Sequence, residues 1–150
     1  MRVLRRKLYQ PLVIDAKNSK KTQLTTLQRI LNDNADTEFG RRHQFDSIKS
    51  HKDYADIVPV HEYEDLRPLI EKQEKTRAAV LTAKPFVMYN QTSGTTGRPK
   101  YIPVLQETLD SMKDSQNLFT FLQYQSCPEA YAGRILGMAS PDIEDYLESG

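Results

Sequence analysis

The sequence predicts an α/β chain in which helices pack on a partial β-sheet and one strand–glycine-rich loop–strand hairpin projects from it. Three observations predict this. Apolar residues recur at helical spacing over residues 21–33 and 105–125. Two short runs rich in β-branched and aromatic residues, Pro85–Tyr89 and Tyr101–Val104, flank a run of glycines and hydroxyls. A strand, a helix and a second apolar run follow one another across 101–139, the pattern of a crossover unit with helices outside the sheet.

Residues 1–20 form a basic leader, in which Arg2, Arg5, Arg6, Lys7, Lys17 and Lys20, with Lys21 just after, stand against Asp15 alone. The apolar stretch after the first basic residues is short and carries Gln10 and Pro11, which argues for a frayed or solvated leader over a targeting signal. The next segment, 21–76, reads as helical. Leu24, Leu27, Ile30 and Leu31 define an amphipathic helix that Asn32-Asp33-Asn34 ends. Thr37-Glu38-Phe39-Gly40 begins a short helix or turn, with Asp36 or Thr37 as its cap. A further short helix over 50–56 is stopped by Pro59, which forces Val58 extended. From Tyr63, Leu66, Leu69 and Ile70 share one face, Pro68 falls in the first turn or kinks the helix, and Lys72–Lys75 form a solvated end.

The hairpin around the glycine-rich run occupies 85–104. Pro103 cannot donate to a ladder, so its strand is short or at an edge. Leu105, Leu109, Met112, Phe119 and Leu122 mark a long helix whose apolar stripe reads as core. Gly133–Ala139 reads as a buried strand. No linker divides the chain into two domains.

Composition excludes several function classes. A net charge of +1 gives no basic footprint for nucleic acid. No apolar run approaches the ~18–20 residues that span a bilayer, so a soluble, cytoplasmic protein is expected. One cysteine, Cys127, excludes an internal disulfide and reads as a buried or half-buried structural thiol. His43, His51 and His61 lack the spacing of a zinc site, so no metal site is expected on the protein. Glu62, Glu64 and Asp65 fall on a helix start, where carboxylates meet exposed N–H groups; that reading is preferred to acid/base catalysis. The 38% hydrophobic content is low for a self-contained α/β domain, where about 45–50% apolar is usual.

The informative segment is Thr92-Ser93-Gly94-Thr95-Thr96-Gly97-Arg98-Pro99-Lys100. Glycines let backbone N–H groups turn toward an anion, hydroxyls add donors, and Lys100 adds a mobile positive charge. That mixture suits a polyphosphate. The P-loop pattern G-x-x-x-x-G-K-[ST] does not fit: the glycines are three apart, Lys100 does not follow a glycine, and Tyr101 replaces the magnesium-binding hydroxyl.

The loop resembles the phosphate-binding signature of adenylate-forming enzymes, the superfamily of acyl-CoA synthetases, peptide-synthetase adenylation domains and firefly luciferase. Its flanks narrow the resemblance. Thr37-Glu38-Phe39-Gly40, the block Val58-Pro59-Val60-His61-Glu62-Tyr63-Glu64-Asp65-Leu66-Arg67-Pro68-Leu69-Ile70, and Lys100-Tyr101-Ile102-Pro103 are similar, in order and spacing, to the N-terminal part of the acyl-acid amido synthetases, known in plants as auxin-responsive proteins. Members of that family run to several hundred residues. The resemblance therefore implies that residues 1–150 are an incomplete N-terminal segment of an adenylation domain, inactive alone.

For the family, the resemblance implies ATP-dependent adenylation of a carboxylic acid, followed by amide formation with an amino acid. ATP and Mg²⁺ are the implied cofactors. The implied nucleotide-binding residues are Thr92, Ser93, Gly94, Thr95, Thr96, Gly97 and Lys100, with Lys100 catalytic. Two alternatives stay open: a non-catalytic truncated interaction module, and an acyl-CoA-synthetase-type enzyme that passes the acyl group to a thiol.

Overall fold

The computed structural model describes residues 2–92, 99–134, 136 and 137. The described part is mostly helical, with a small two-stranded sheet. The chain divides into two compact units, Met1–Ile14 with Asp110–Gly150, and Asp15–Leu109.

In the first unit, α1 (Arg2–Leu4) runs through a π-helical stretch, Arg5–Tyr9, into α2 (Gln10–Lys17), whose later residues belong to the second unit. The leader is therefore helical, with most of its residues exposed to solvent. The Tyr9 ring rests 5.7 Å from that of Phe121, a buried residue of α7 (Gln106–Ser126). Phe121 lies outside the expected stripe, of which Leu105 and Leu109 are half-buried while Met112, Phe119 and Leu122 are exposed and depart from the core reading. Met112 and Phe119 are more than half exposed, because no described residue covers that face. Cys127 is also exposed, its thiol donating to Glu129 Oε1. Of the strand expected over 133–139, Ile135, Met138 and Ala139 lie outside the described residues. Gly133, Arg134, Leu136 and Gly137 are in no strand, and Leu136 is 93% exposed. An apolar strand needs a paired neighbour, and none is at hand among the described residues.

The second unit holds the main core. Leu31 on α3 (Ser19–Asp33) packs with Phe45, Ile48 and Val58, and Leu27, Ala35, Phe39 and Ile57 close around them. Thr37 caps α4 (Glu38–Arg42): its hydroxyl accepts from Gly40 N–H at 2.9 Å and donates to the Asn34 carbonyl at 2.8 Å. The next N–H groups of α4, from Glu38 and Phe39, donate to the carbonyls of Ala79 and Val80. The Thr-Glu-Phe-Gly run is thus a knot joining the end of α3 to the 78–84 segment.

α5 (His51–Ile57) begins with a reciprocal cap. Ser50 Oγ accepts from Asp53 N–H, and the Asp53 carboxylate accepts from the N–H groups of Lys49 and Ser50 at 3.0 and 2.9 Å. Those bonds, from Lys49 first and then Ser50, hold the Asp53 carboxyl below its ordinary range. A depressed carboxylate stabilises the fold fully above its unfolded titration range, and that stability is lost as pH falls through the folded one. Asp53→Asn is therefore expected to reduce the fall in melting temperature between pH 7 and pH 3, measured by circular dichroism.

α6 (Tyr63–Thr76) opens with a second capping box, in which Glu62 N–H donates to Asp65 at 2.8 Å. The acidic cluster at 62–65 is accordingly a helix start. Of the two places expected for it, Pro68 is not in the first turn but inside the helix, in the second turn, where its missing N–H is the one that would reach the carbonyl of residue 64.

β1 (Met88–Gln91) and β2 (Tyr101–Val104) pair antiparallel, Met88 opposite Val104 and Gln91 opposite Tyr101. Beyond them Thr92 N–H donates to the Lys100 carbonyl at 3.0 Å. Alternation of an antiparallel ladder then makes 90/102 a hydrogen-bonded pair and 89/103 and 91/101 non-hydrogen-bonded ones. Pro103 therefore sits where its nitrogen faces away from β1, and no ladder bond is forfeited.

Candidate functional site

The residues expected to bind nucleotide divide in two. Ser93, Gly94, Thr95, Thr96 and Gly97 lie outside the described residues. Thr92 and Lys100 are described, and they face each other across the end of the β1–β2 pair. The Lys100 side chain is exposed, with Nζ 5.6 Å from the centroid of the Tyr63 ring. At that distance an ammonium group is attracted by the negative face of the ring.

α6 supports both limbs of the hairpin. On the outgoing limb, Tyr63 Oη accepts from Tyr101 N–H at 2.8 Å and donates to the Tyr101 carbonyl at 3.1 Å. Tyr101 is in a non-hydrogen-bonded pair, so its N–H and C=O point away from β1, and one phenol takes the place of a third strand. One turn further along α6, the Arg67 guanidinium donates from both terminal nitrogens to the Pro99 carbonyl, at 3.3 and 3.4 Å. Arg67 also pairs with Glu64, at 2.8 and 2.9 Å, and lies 4.7 Å from the Tyr63 ring centroid. Its side chain is 15% exposed.

On the incoming limb the anchors are Gln73 and Glu74. Gln73 is 5% exposed, so the solvated end expected at Lys72–Lys75 is interrupted by a buried amide. Its Oε1 accepts from the N–H groups of Val80, Leu81 and Thr82 at 3.2, 2.7 and 3.1 Å. Its Nε2 donates to the Thr82 carbonyl and hydroxyl and to the Lys84 carbonyl. Tyr89 Oη donates to the Glu74 carboxylate. Burial and then that carboxylate push the Tyr89 phenol well above its ordinary value, so it stays a neutral donor. Beside these anchors lies an open cleft of about 90 Å³, lined by Glu74, Arg77, Lys84 and Phe86 among others.

His43 and His61 come together on Phe39, with ring centroids 5.7 Å apart. No group of three or more His, Cys, Asp or Glu side chains is placed to hold a metal ion among the described residues.

The chain's relatives can now be set beside this geometry. Residues 10–150 match the GH3 family N-terminal domain. The chain belongs to the GH3 family. The chain is 32% identical to the indole-3-acetic acid-amido synthetase GH3.5 of Arabidopsis thaliana, over 66% of its own length and 19% of that protein. It is 31% identical to the jasmonoyl-L-amino acid synthetase JAR4 of Nicotiana attenuata, over 63% of its own length and 17% of that protein. The structure of AtGH3.15 acyl acid amido synthetase in complex with 2,4-DB superposes with a TM-score of 0.65 at 30% identity, covering 72% of this chain and 19% of that one. This GH3 chain thus spans about a fifth of the length of the curated relatives it matches.

Sequence reasoning did not find Tyr63, Arg67, Gln73 or Glu74 as supports of the hairpin. Tyr63 and Arg67 stand four residues apart, and so do the members of the pairs Leu66/Ile70 and Leu69/Gln73. Such spacing places residues on one helical face but does not say what that face meets.

Proposed function

We propose that this segment supplies the polyphosphate grip of an ATP-dependent acyl-acid amido synthetase. The observation that carries the reading is the placement of Lys100. It stands at the outgoing end of a paired hairpin, opposite Thr92, with its side chain exposed, in a chain of the GH3 family.

A carboxylic acid is a poor acyl donor, because its leaving group would be hydroxide. In the proposed first step a carboxylate oxygen attacks the α-phosphorus of ATP. The bond from that phosphorus to the bridging oxygen breaks, and pyrophosphate leaves with the electron pair. In the second, the amine of an amino acid attacks the acyl carbon, loses a proton, and expels AMP. Charge builds on the β,γ-phosphates as the first bond breaks, and fixed donors with a cation aimed there lower the barrier. Ser93, Thr95 and Thr96, with the N–H groups near Gly94 and Gly97, are the proposed donors, Thr92 flanks them, and Lys100 is the cation. Mg²⁺, where it accompanies the triphosphate, would supply further neutralisation of phosphate charge. The carboxylic acid and the amino acid are the proposed small-molecule partners.

In a full-length protein carrying this segment, Lys100→Ala is expected to slow ATP–pyrophosphate exchange by about ten- to a hundred-fold, the loss of one charge-assisted contact of about 1.5–3 kcal/mol. Exchange at the unaltered rate in a folded variant would remove Lys100 from the chemistry. Exchange that leads to a thioester and not an amide would assign the segment to a thiol-acylating ligase instead.

A further inference from the structure

We infer that Tyr63 and Arg67 are positioning residues that preset Lys100 for an anionic ligand; the inference rests on the polyphosphate reading of the hairpin. Lys100 is one residue from each of two backbone sites that α6 holds. On one side Pro99 gives its carbonyl to Arg67, and on the other Tyr101 gives both its N–H and its carbonyl to the Tyr63 hydroxyl. Lys100 itself uses its carbonyl to accept from Thr92 on the opposite limb. The backbone around the lysine is thereby fixed from both sides, while its side chain leaves the strand over the face of Tyr63.

The two cations near that ring have different assignments. Arg67 is largely buried and committed to Glu64 and to Pro99, so its charge is locally balanced. Lys100 is exposed, and its ammonium group can turn to a ligand without breaking the backbone clamp. A long flexible amine gains most from such support, because each rotor left free must be ordered when the ligand binds. The clamp removes backbone freedom beforehand.

The probe is inorganic tripolyphosphate, titrated into the isotope-labelled 150-residue chain and followed by amide chemical shifts of Thr92, Lys100 and Tyr101. Tyr63→Phe keeps the ring and removes only the hydroxyl. Arg67→Lys keeps the charge and removes the fork. Each is expected to weaken tripolyphosphate binding by about three- to ten-fold and to speed hydrogen exchange at the Tyr101 amide, with the melting temperature little changed. In a Lys100→Ala background the Tyr63→Phe effect on affinity should disappear, since it acts through the lysine. Affinities that remain at the wild-type level in Tyr63→Phe and Arg67→Lys, while Lys100→Ala still weakens binding, overturn the inference and leave the polyphosphate reading standing. So does a Tyr63→Phe effect that persists undiminished without Lys100. Should Tyr63→Phe fail to fold, Arg67→Lys carries the same comparison. A wild-type chain in which none of these amides responds to tripolyphosphate overturns the polyphosphate reading itself, and the positioning role with it.

Discussion

Gly40→Ala is expected to lower the melting temperature of this chain by roughly 6–12 °C, equivalent to about 3 kcal/mol in a domain of this size. A Cβ built on Gly40 would stand 2.1 Å from the Asn34 carbonyl oxygen, 2.9 Å from that of Ala35 and 3.0 Å from the Thr37 hydroxyl. Two of those three atoms are backbone, so no rotamer change can relieve the overlap. The turn after α3 would have to open, and it carries much of the local order. Thr37, fully buried, bonds there to both Asn34 and Gly40. Asn34 Oδ1 accepts from Ala83 N–H at 3.0 Å, tying the same turn to the segment leading into β1. Differential scanning calorimetry of the variant tests this. A melting temperature within two degrees of wild type would mean that the turn has room the structure denies it.

Gln73→Leu is expected to cost about 3–4 kcal/mol in urea-induced unfolding, more than most single substitutions. Leucine matches the volume of glutamine but neither accepts nor donates. The N–H groups of Leu81 and Thr82 would lose the Oε1 acceptor, and the Lys84 and Thr82 carbonyls would lose a donor, around a side chain that is itself 5% exposed. Since Val80 N–H also donates to the Ala78 carbonyl, its loss should be partial. Thr82→Val, which removes the hydroxyl partner of Nε2 and that hydroxyl's own bond to the Lys84 carbonyl, should cost less than half as much. Equal losses for the two variants would show that Gln73 acts as filler and not as the hub of the 80–84 segment.

Both positions bear on the hairpin, because the 78–84 segment delivers the chain into β1. Gln73 and Glu74 fix the way in, and Tyr63 and Arg67 fix the way out. A single helix therefore sets the span between Thr92 and Lys100.

Local chemistry made much of this legible in advance. The period of Leu24, Leu27, Ile30 and Leu31 located α3, and of the two cap candidates read from residue type, Asp36 and Thr37, the second is the cap. Val58 is extended, at φ −99° and ψ 108°, as Pro59 requires. The flanks of the glycine-rich run pair as strands within three residues of the expected bounds. Where reading failed, the deciding partner was distant in sequence. The stripe on α7 has the right period for a core, but burial depends on a covering surface: Leu105 and Leu109 are half-buried, Met112, Phe119 and Leu122 are exposed, and the buried residue of the helix is Phe121, beside the stripe. Gly133–Ala139 has a strand-like composition, but a strand exists only with a neighbour, and its described residues have none among the described part of the chain. Gln73 lies between two charged residues in a polar run and is nevertheless among the least exposed side chains.

The sequence alone determined the family resemblance, the hydroxyl- and glycine-rich loop with its lysine, and the helices whose period and caps lie within a few residues of one another. Those features depend on short-range sterics and hydrogen bonding, which neighbouring residues fully specify. Only the tertiary structure decided that α6 is the support of the strands that flank that run. The Tyr63–Tyr101 and Arg67–Pro99 bonds join residues 38 and 32 positions apart, and no local rule reaches across such a gap.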